Sequence, residues 1–260
     1  MAAAATGSAA PAFLADVPEV AEMNQYWYSP ATIAAMVTEI EAAFGDGQRV
    51  AFLSTPSIFF SLDEASSARR NAHVFDYDRQ WEKTCEQYRF YDFNDAIGTL
   101  DASLHHTFDC CVVDPPFITR DVWSLYADAI ALLLKPDGAR RVIMTTVGEN
   151  EAMLREVLGA DVGSTLRKTR FMPAMNCVKT GSANLPYQYS LYVNYEVSAE
   201  SPLVAWNEDV PREFEEANAR RMDDISAVDS APTERALGGT KLSFEELMER
   251  EMAKAEAAGR

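Results

Sequence analysis

Three acids, Asp76, Asp92 and Asp114, each close a short run of mostly apolar residues: Ala72 to Tyr77, Tyr88 to Asp92, and Phe108 to Asp114. Runs of this kind, separated by crossovers, read as strands of a parallel sheet, whose C-terminal ends share one edge. Carboxylates spaced by roughly 20 residues in that setting line one crevice. For any one of them, a solvent-facing loop acid is the plain alternative; three in the same topological position point to a ligand. An acid ending the second strand can accept both hydroxyls of a ribose, and Asp92 can take the amino group of an adenine ring while Phe93 packs on its face. No Gly-x-Gly follows the first strand, so a pyrophosphate would lack its usual close backbone approach. The residues therefore describe a nucleoside site without a phosphate cradle.

The elements that must position these acids follow from periodicity. Ile33, Met36, Val37, Ile40 and Phe44 recur at three- and four-residue steps, a helix that stops at Gly45-Asp46-Gly47. Arg49 to Ser54 reads as a first buried strand, broken by Thr55-Pro56-Ser57 and followed by a helix from Ile58 to Ala68. Asp78 to Glu86 reads as a short helix between the second and third strands. Val122, Leu125, Tyr126, Ala129, Ile130 and Leu133 give another helix, and Arg141 to Val147 a fifth strand. Tyr187, Tyr189, Leu191, Val193, Tyr195 and Val197 then alternate with Gln188, Ser190, Tyr192, Asn194 and Glu196, the two-residue period of a strand. Lys168 to Ala174 is expected to pair with it as an antiparallel terminal hairpin, through a loop from Asn176 to Pro186.

The 260 residues suffice for one α/β domain with an appendage. Residues 1–15, Ala-rich and without a basic n-region, read as a disordered leader; 16–197 form the domain; 198–260 form an acidic helical extension with fifteen acids against eight bases. Within the extension, Asp209 to Asp224 and Ser243 to Ala258 read as helices joined by a Ser226 to Thr240 linker. The net charge of −17 argues against duplex nucleic acid as a partner and favours a basic one. No apolar run is long enough to span a bilayer. Cys85, Cys110, Cys111 and Cys177 lack metal-ligand spacing and suit reduced thiols in the cytoplasm; with three scattered histidines, no metal site is expected.

The tetrad Asp114-Pro115-Pro116-Phe117 resembles the motif of class I methyltransferases that act on exocyclic or side-chain amines. Taken with Gln25-Tyr26-Trp27-Tyr28-Ser29, Leu53-Ser54-Thr55-Pro56-Ser57, Phe75-Asp76-Tyr77-Asp78-Arg79, Phe90-Tyr91-Asp92-Phe93-Asn94 and Tyr192-Val193-Asn194-Tyr195, it resembles the elongation factor 1-alpha lysine methyltransferase family, formerly catalogued among adenine-specific DNA methyltransferases. These segments keep the family's order from about Asn24 to Glu196.

The resemblance implies a Rossmann-like class I methyltransferase fold: α/β, a seven-stranded mostly parallel sheet with an antiparallel terminal hairpin and helices on both faces. It implies S-adenosyl-L-methionine as cofactor and elongation factor 1-alpha as protein partner. Gln25, Trp27, Tyr28 and Ser29 would fold over the cofactor. Ser54, Thr55, Pro56 and Ser57 would contact its methionine portion, Asp76 with Tyr77 its ribose, and Asp92 with Phe93 its adenine. Asp114, itself also among the cofactor contacts, and the carbonyls of Pro115 and Pro116 would orient the accepting amine, with Phe117 flanking it. For Tyr26 to Tyr28 the alternative is a lead-in that staples the first helix.

The family's basic segment before its last strand is replaced here by Met175 to Ser182, which has one Lys. That departure bears on substrate contacts more than on cofactor contacts. Two other readings remain open from the residues: an adenine amino methyltransferase on nucleic acid, since the tetrad also suits a flipped base, and a catalytically silent binding module.

Overall fold

The structure, a computed structural model, describes residues 9–177, 189–212 and 214–215. In chain order the elements are α1 Ala9–Asp16, α2 Pro30–Ala43, β1 Val50–Leu53, α3 Pro56–Phe59, α4 Ser67–Arg70, β2 His73–Asp76, β3 Tyr88–Phe90, α5 Ala96–Thr99, β4 Cys110–Val113, α6 Arg120–Leu133, β5 Arg141–Val147, α7 Glu151–Val157, α8 Gly159–Gly163, β6 Arg167–Lys168 and β7 Tyr189–Val193.

The strands form one sheet in the order β3-β2-β1-β4-β5-β7-β6. Neighbours from β3 to β5 are parallel, and β7 runs antiparallel to both β5 and β6. The chain moves from β1 out to β2 and β3, then returns to place β4 on the other side of β1. The C-terminal ends of β1 and β4 therefore flank the point where the winding reverses, the place in such sheets where ligands bind. The expected α/β sheet with its antiparallel end is the one observed.

Both faces are covered. Val50, Phe52, Val74, Cys110, Val112 and Ile143 pack against α2 and α3, while Ala51, Leu53, Phe75, Cys111, Val113 and Met144 pack against α6 and α7. Successive strand residues point to opposite faces, so the adjacent Cys110 and Cys111 lie on opposite sides of the sheet. Ser29 caps α2 and Thr119 caps α6, each accepting a hydrogen bond from the backbone N–H three residues on.

Several expectations need correction. The end of the supposed leader is helical: Phe13 of α1 is buried, its ring 5.2 Å from that of Trp27. The helix expected from Ile58 to Ala68 is two short helices, because Asp63 and Ser66 accept backbone N–H groups and compete with helical bonding. Asp78 to Glu86 holds only the 3-10 turn Arg79–Trp81, for which Trp81 is the sole buried anchor.

β7 is covered on both faces, Ser190 and Tyr192 being buried like Leu191 and Val193. Packing does not stop at residue 197. Leu203 is buried in the α2-side core, Ser201 donates to the buried Glu39 of α2, and the Asn207 amide donates to the Met172 carbonyl at 2.8 Å. Most of the expected loop from Asn176 to Pro186, the linker, the helix from Ser243 and most of the helix from Asp209 lie outside the described residues, as do residues 1–8.

Candidate active site

The strand ends are knitted together where the winding reverses. The Ser54 N–H donates to the Phe75 carbonyl at 2.9 Å, and the Asp114 N–H to the Leu53 carbonyl at 3.2 Å. Ser54 sits in the left-handed region with φ 54, a conformation that costs a non-glycine residue about 1–2 kcal/mol. Its hydroxyl is 2.6 Å from the Tyr126 hydroxyl of α6. That bond holds a turn that elsewhere would call for glycine.

Tyr126 also senses the charge of all three acids. Burial raises its pKa first, and the charges of Asp76, Asp114 and Asp92 each raise it further. All three carboxylates therefore lie within electrostatic reach of one phenol.

Asp76 is buried, and its Oδ1 accepts the Asp78 N–H at 2.9 Å. Burial outweighs the lowering by the backbone bonds from Asp78 and Tyr77, pushing its pKa up to about 7. Asp92 commits Oδ1 to the backbone and side-chain nitrogens of Asn94, at 2.9 and 3.2 Å. The ring of Phe93 is 5.8 Å from that of Tyr126. Asp114 is half-buried, with Oδ1 accepting the Thr145 hydroxyl at 2.7 Å. Burial pushes its pKa up to about 6, against the neighbouring hydroxyls of Tyr28 and Thr145, which lower it.

The lead-in to α2 crosses the same edge. The Gln25 amide donates to Asp78 Oδ2 at 3.3 Å, while Gln25 Oε1 is buried without a partner. An orphaned acceptor beside the ribose-side acids suits a donor from a ligand. The Tyr28 hydroxyl lies 2.6 Å from Thr145 Oγ1. Asn24, also left-handed at φ 51, donates its side-chain amide to the Pro116 carbonyl.

Other expected residues are placed differently. Trp27 is a core residue whose indole N–H is spent on the Val17 carbonyl at 3.0 Å, so it offers a ligand no polar atom. Ser29 is fully buried at the N-cap and donates to Asp209 Oδ2 at 3.0 Å. Thr55 turns inward to the Val112 carbonyl at 3.3 Å, and Pro56 and Ser57 are buried at the start of α3. Tyr77 is exposed at the mouth, its ring 5.5 Å from that of Phe90. Pro115 is buried and Phe117 packs into the α6-side core, beneath the crevice floor.

Sequence reasoning missed Asn24, Tyr126 and Thr145. Tyr126 looked like one more core position of an amphipathic helix. The adjacent Thr145 and Thr146, polar within the apolar β5 run and both fully buried, were the readable signal.

Residues 19–197 match a family model described as "Probable N6-adenine methyltransferase". The chain is 29% identical over 174 residues to the EEF1A lysine methyltransferase 1 of Gallus gallus, covering 67% of this chain and 74% of that protein. To the human EEF1A lysine methyltransferase 1 it is 26% identical over 175 residues, with the same coverage of each chain. A protein-lysine N-methyltransferase of Dictyostelium discoideum is 31% identical over 121 residues, 46% of this chain and 57% of that one. Among solved structures, the branched-chain polyamine synthase of Thermus thermophilus superposes with a TM-score of 0.50 at 15% identity, covering 80% of this chain and 69% of that one. That likeness concerns the fold.

Proposed function

The chain belongs to the methyltransferase family whose model spans residues 19–197, and from that premise we propose that it is an S-adenosylmethionine-dependent protein-lysine N-methyltransferase acting on elongation factor 1-alpha. The named relatives support the lysine and the substrate. The observation that carries the reading is that Asp76, Asp92 and Asp114 close the parallel strands β2, β3 and β4 on one edge of the sheet, around the point where the winding reverses.

The residues fit the cofactor by their donor set. Each carboxylate has an oxygen tied to the protein, and Gln25 Oε1 is an unmet acceptor. Hydroxyl and amino hydrogens are what such oxygens bind. The crevice offers no glycine cradle, and this cofactor carries no phosphate to need one. Asp76 would hold the ribose hydroxyls, Asp92 the adenine amino group with Phe93 beside the ring, and the Ser54 turn the methionine portion.

When bound, the cofactor supplies an electrophilic methyl on a sulfonium. The protein's share is to bring a neutral amine into line with it. A free lysine, with a pKa near 10.4, has no lone pair while protonated. Exclusion of water favours the neutral amine, and a cationic neighbour does so as well. Asp114 then accepts a hydrogen bond from the amine and aims its lone pair. The Pro116 carbonyl is already engaged by Asn24, which leaves the Pro115 carbonyl as the backbone acceptor next to Asp114.

In this reading residues 16–197 carry methyl transfer and 198–260 are an acidic extension, whose start is built into the same core. Four free cysteines suit a reducing, cytoplasmic setting. Incubation with labelled S-adenosylmethionine and either elongation factor 1-alpha or DNA tests the assignment. Label is expected on the protein; label on DNA alone would overturn it.

A further inference from the structure

The parallel register pairs Val113 of β4 with Met144 of β5, so the next residues, Asp114 and Thr145, are neighbours at the crevice edge. Thr145 is fully buried within β5, where valine would fill the same space and suit a strand equally well. Its hydroxyl is what distinguishes it. That hydroxyl has a single proton, and Asp114 Oδ1, at 2.7 Å, can as a carboxylate only accept. Thr145 therefore donates to Asp114 and accepts from Tyr28, whose hydroxyl is 2.6 Å away.

The chain of bonds has one direction, from Tyr28 through Thr145 to Asp114 Oδ1. Burial and the Asp114 charge keep the Tyr28 phenol protonated, as a terminal donor must be. Tyr28 is itself fixed on the backbone, through a bridge to Met175 and through the bond from the Asn176 N–H to the Trp27 carbonyl at 2.7 Å.

We propose that Thr145, held by Tyr28, is the positioning residue that locks one oxygen of Asp114 and turns the other toward the methyl-accepting nitrogen. This rests on the assignment of Asp114 to the acceptor amine. A carboxylate with both oxygens free would swing about its Cβ–Cγ bond and share its hydrogen bond with water. Locking Oδ1 gives the amine one direction of approach. The groups beside Asp114 are Tyr28 from the lead-in and Thr145 from β5; Tyr126 of α6 is within electrostatic reach of Asp114, and Tyr189 of β7 within that of Tyr28.

The test compares Thr145→Val, Thr145→Ser and Tyr28→Phe in the full chain. Three quantities are read: S-adenosylmethionine affinity by calorimetry, kcat on elongation factor 1-alpha against pH, and the Asp114 carboxyl titration by carbon-13 NMR. Thr145→Val is expected to lower kcat by about tenfold or more, the loss of one hydrogen bond to a charged group. Cofactor affinity should stay within about twofold, since Thr145 is placed on Asp114 and not on the cofactor-binding acids. Removing a donor to the charged form should move the Asp114 titration, and the acidic limb of the rate profile, to higher pH. Thr145→Ser should restore all three, with Tyr28→Phe falling between.

An unmoved Asp114 titration in Thr145→Val, or a kcat loss that serine does not restore, would overturn the proposal. If the intact protein binds no cofactor or methylates no protein, the function assigned above fails instead. The NMR titration still decides whether Thr145 governs Asp114.

Discussion

Ser54 and Tyr126, 72 residues apart in the chain, share a hydrogen bond of 2.6 Å between their hydroxyls. The bond ties the turn after β1 to α6 and fixes a serine in the left-handed region that favours glycine. Tyr126→Phe keeps the ring and removes only that bond, at a cost of about 1–3 kcal/mol of folding stability if the Ser54 hydroxyl is left unmet. Cofactor affinity should weaken with it, because the loosened turn is the one assigned to the methionine portion. Denaturant unfolding and calorimetry check the two effects separately. Ser54→Gly should lose less stability than Tyr126→Phe, since it relieves the left-handed strain as it removes the bond.

Asp76 and Asp114 set opposite pH trends for folding and for binding. Both are raised by burial from 3.8, to about 7 and about 6. Between those values the folded chain retains protons that the unfolded chain has released. Their contribution to stability is full below the unfolded pKa and is lost as pH rises through 6 and 7. Unfolding free energy of the cofactor-free protein should therefore fall from pH 5 to pH 8. Cofactor affinity should rise over the same range, because ribose hydroxyls donate best to an ionised Asp76. Calorimetry that finds the affinity flat with pH would remove Asp76 from the ribose site.

Residues beyond 197 carry structure that the site depends on. Leu203→Ala should cost about 2–5 kcal/mol, the usual range for emptying a core position. Asn207→Ala should cost about 1–3 kcal/mol by orphaning the buried Met172 carbonyl. Ending the chain after residue 197 removes both contacts, together with the Asp209 partner of Ser29, and should lower the thermal midpoint by more than either substitution. A truncated chain as stable as the intact one would contradict this.

Thiol chemistry offers a direct check on the sheet. Burial pushes the thiols of Cys110 and Cys111 up, and both are enclosed on opposite faces. In the native protein the half-buried Cys85 should react first with an alkylating reagent, and the other thiols only on unfolding.

The sheet and its acids were legible because buried parallel strands are short apolar runs, and the acids that end them fall on one edge by topology alone. What escaped were residues whose role depends on a distant partner. Tyr126 sits at a core spacing of its helix, and only the fold shows that its hydroxyl meets Ser54. Thr145 is a good strand former, so its type drew no notice. Trp27 read as a lid only through the family resemblance, but α1, unreadable in an Ala-rich stretch, covers it. The tail was set apart by its charge, although Leu203 and Trp206 within it are as buried as any core residue.

The bond between Ser29 and Asp209 spans 180 residues, and that between Glu39 and Ser201 spans 162. During synthesis α2 is made early, yet its cap and its one buried acid wait for almost the last part of the described chain to emerge. The far side of the sheet waits as well, since β7 must slip between β5 and β6. Contacts this remote in sequence make folding slow relative to a chain of local pairings. Until they close, the apolar face of α2 stays exposed to other chains and to chaperones. Residues 201–209 thus complete the packing of α2, and a chain that stops short of them leaves its cap and its buried acid without these partners.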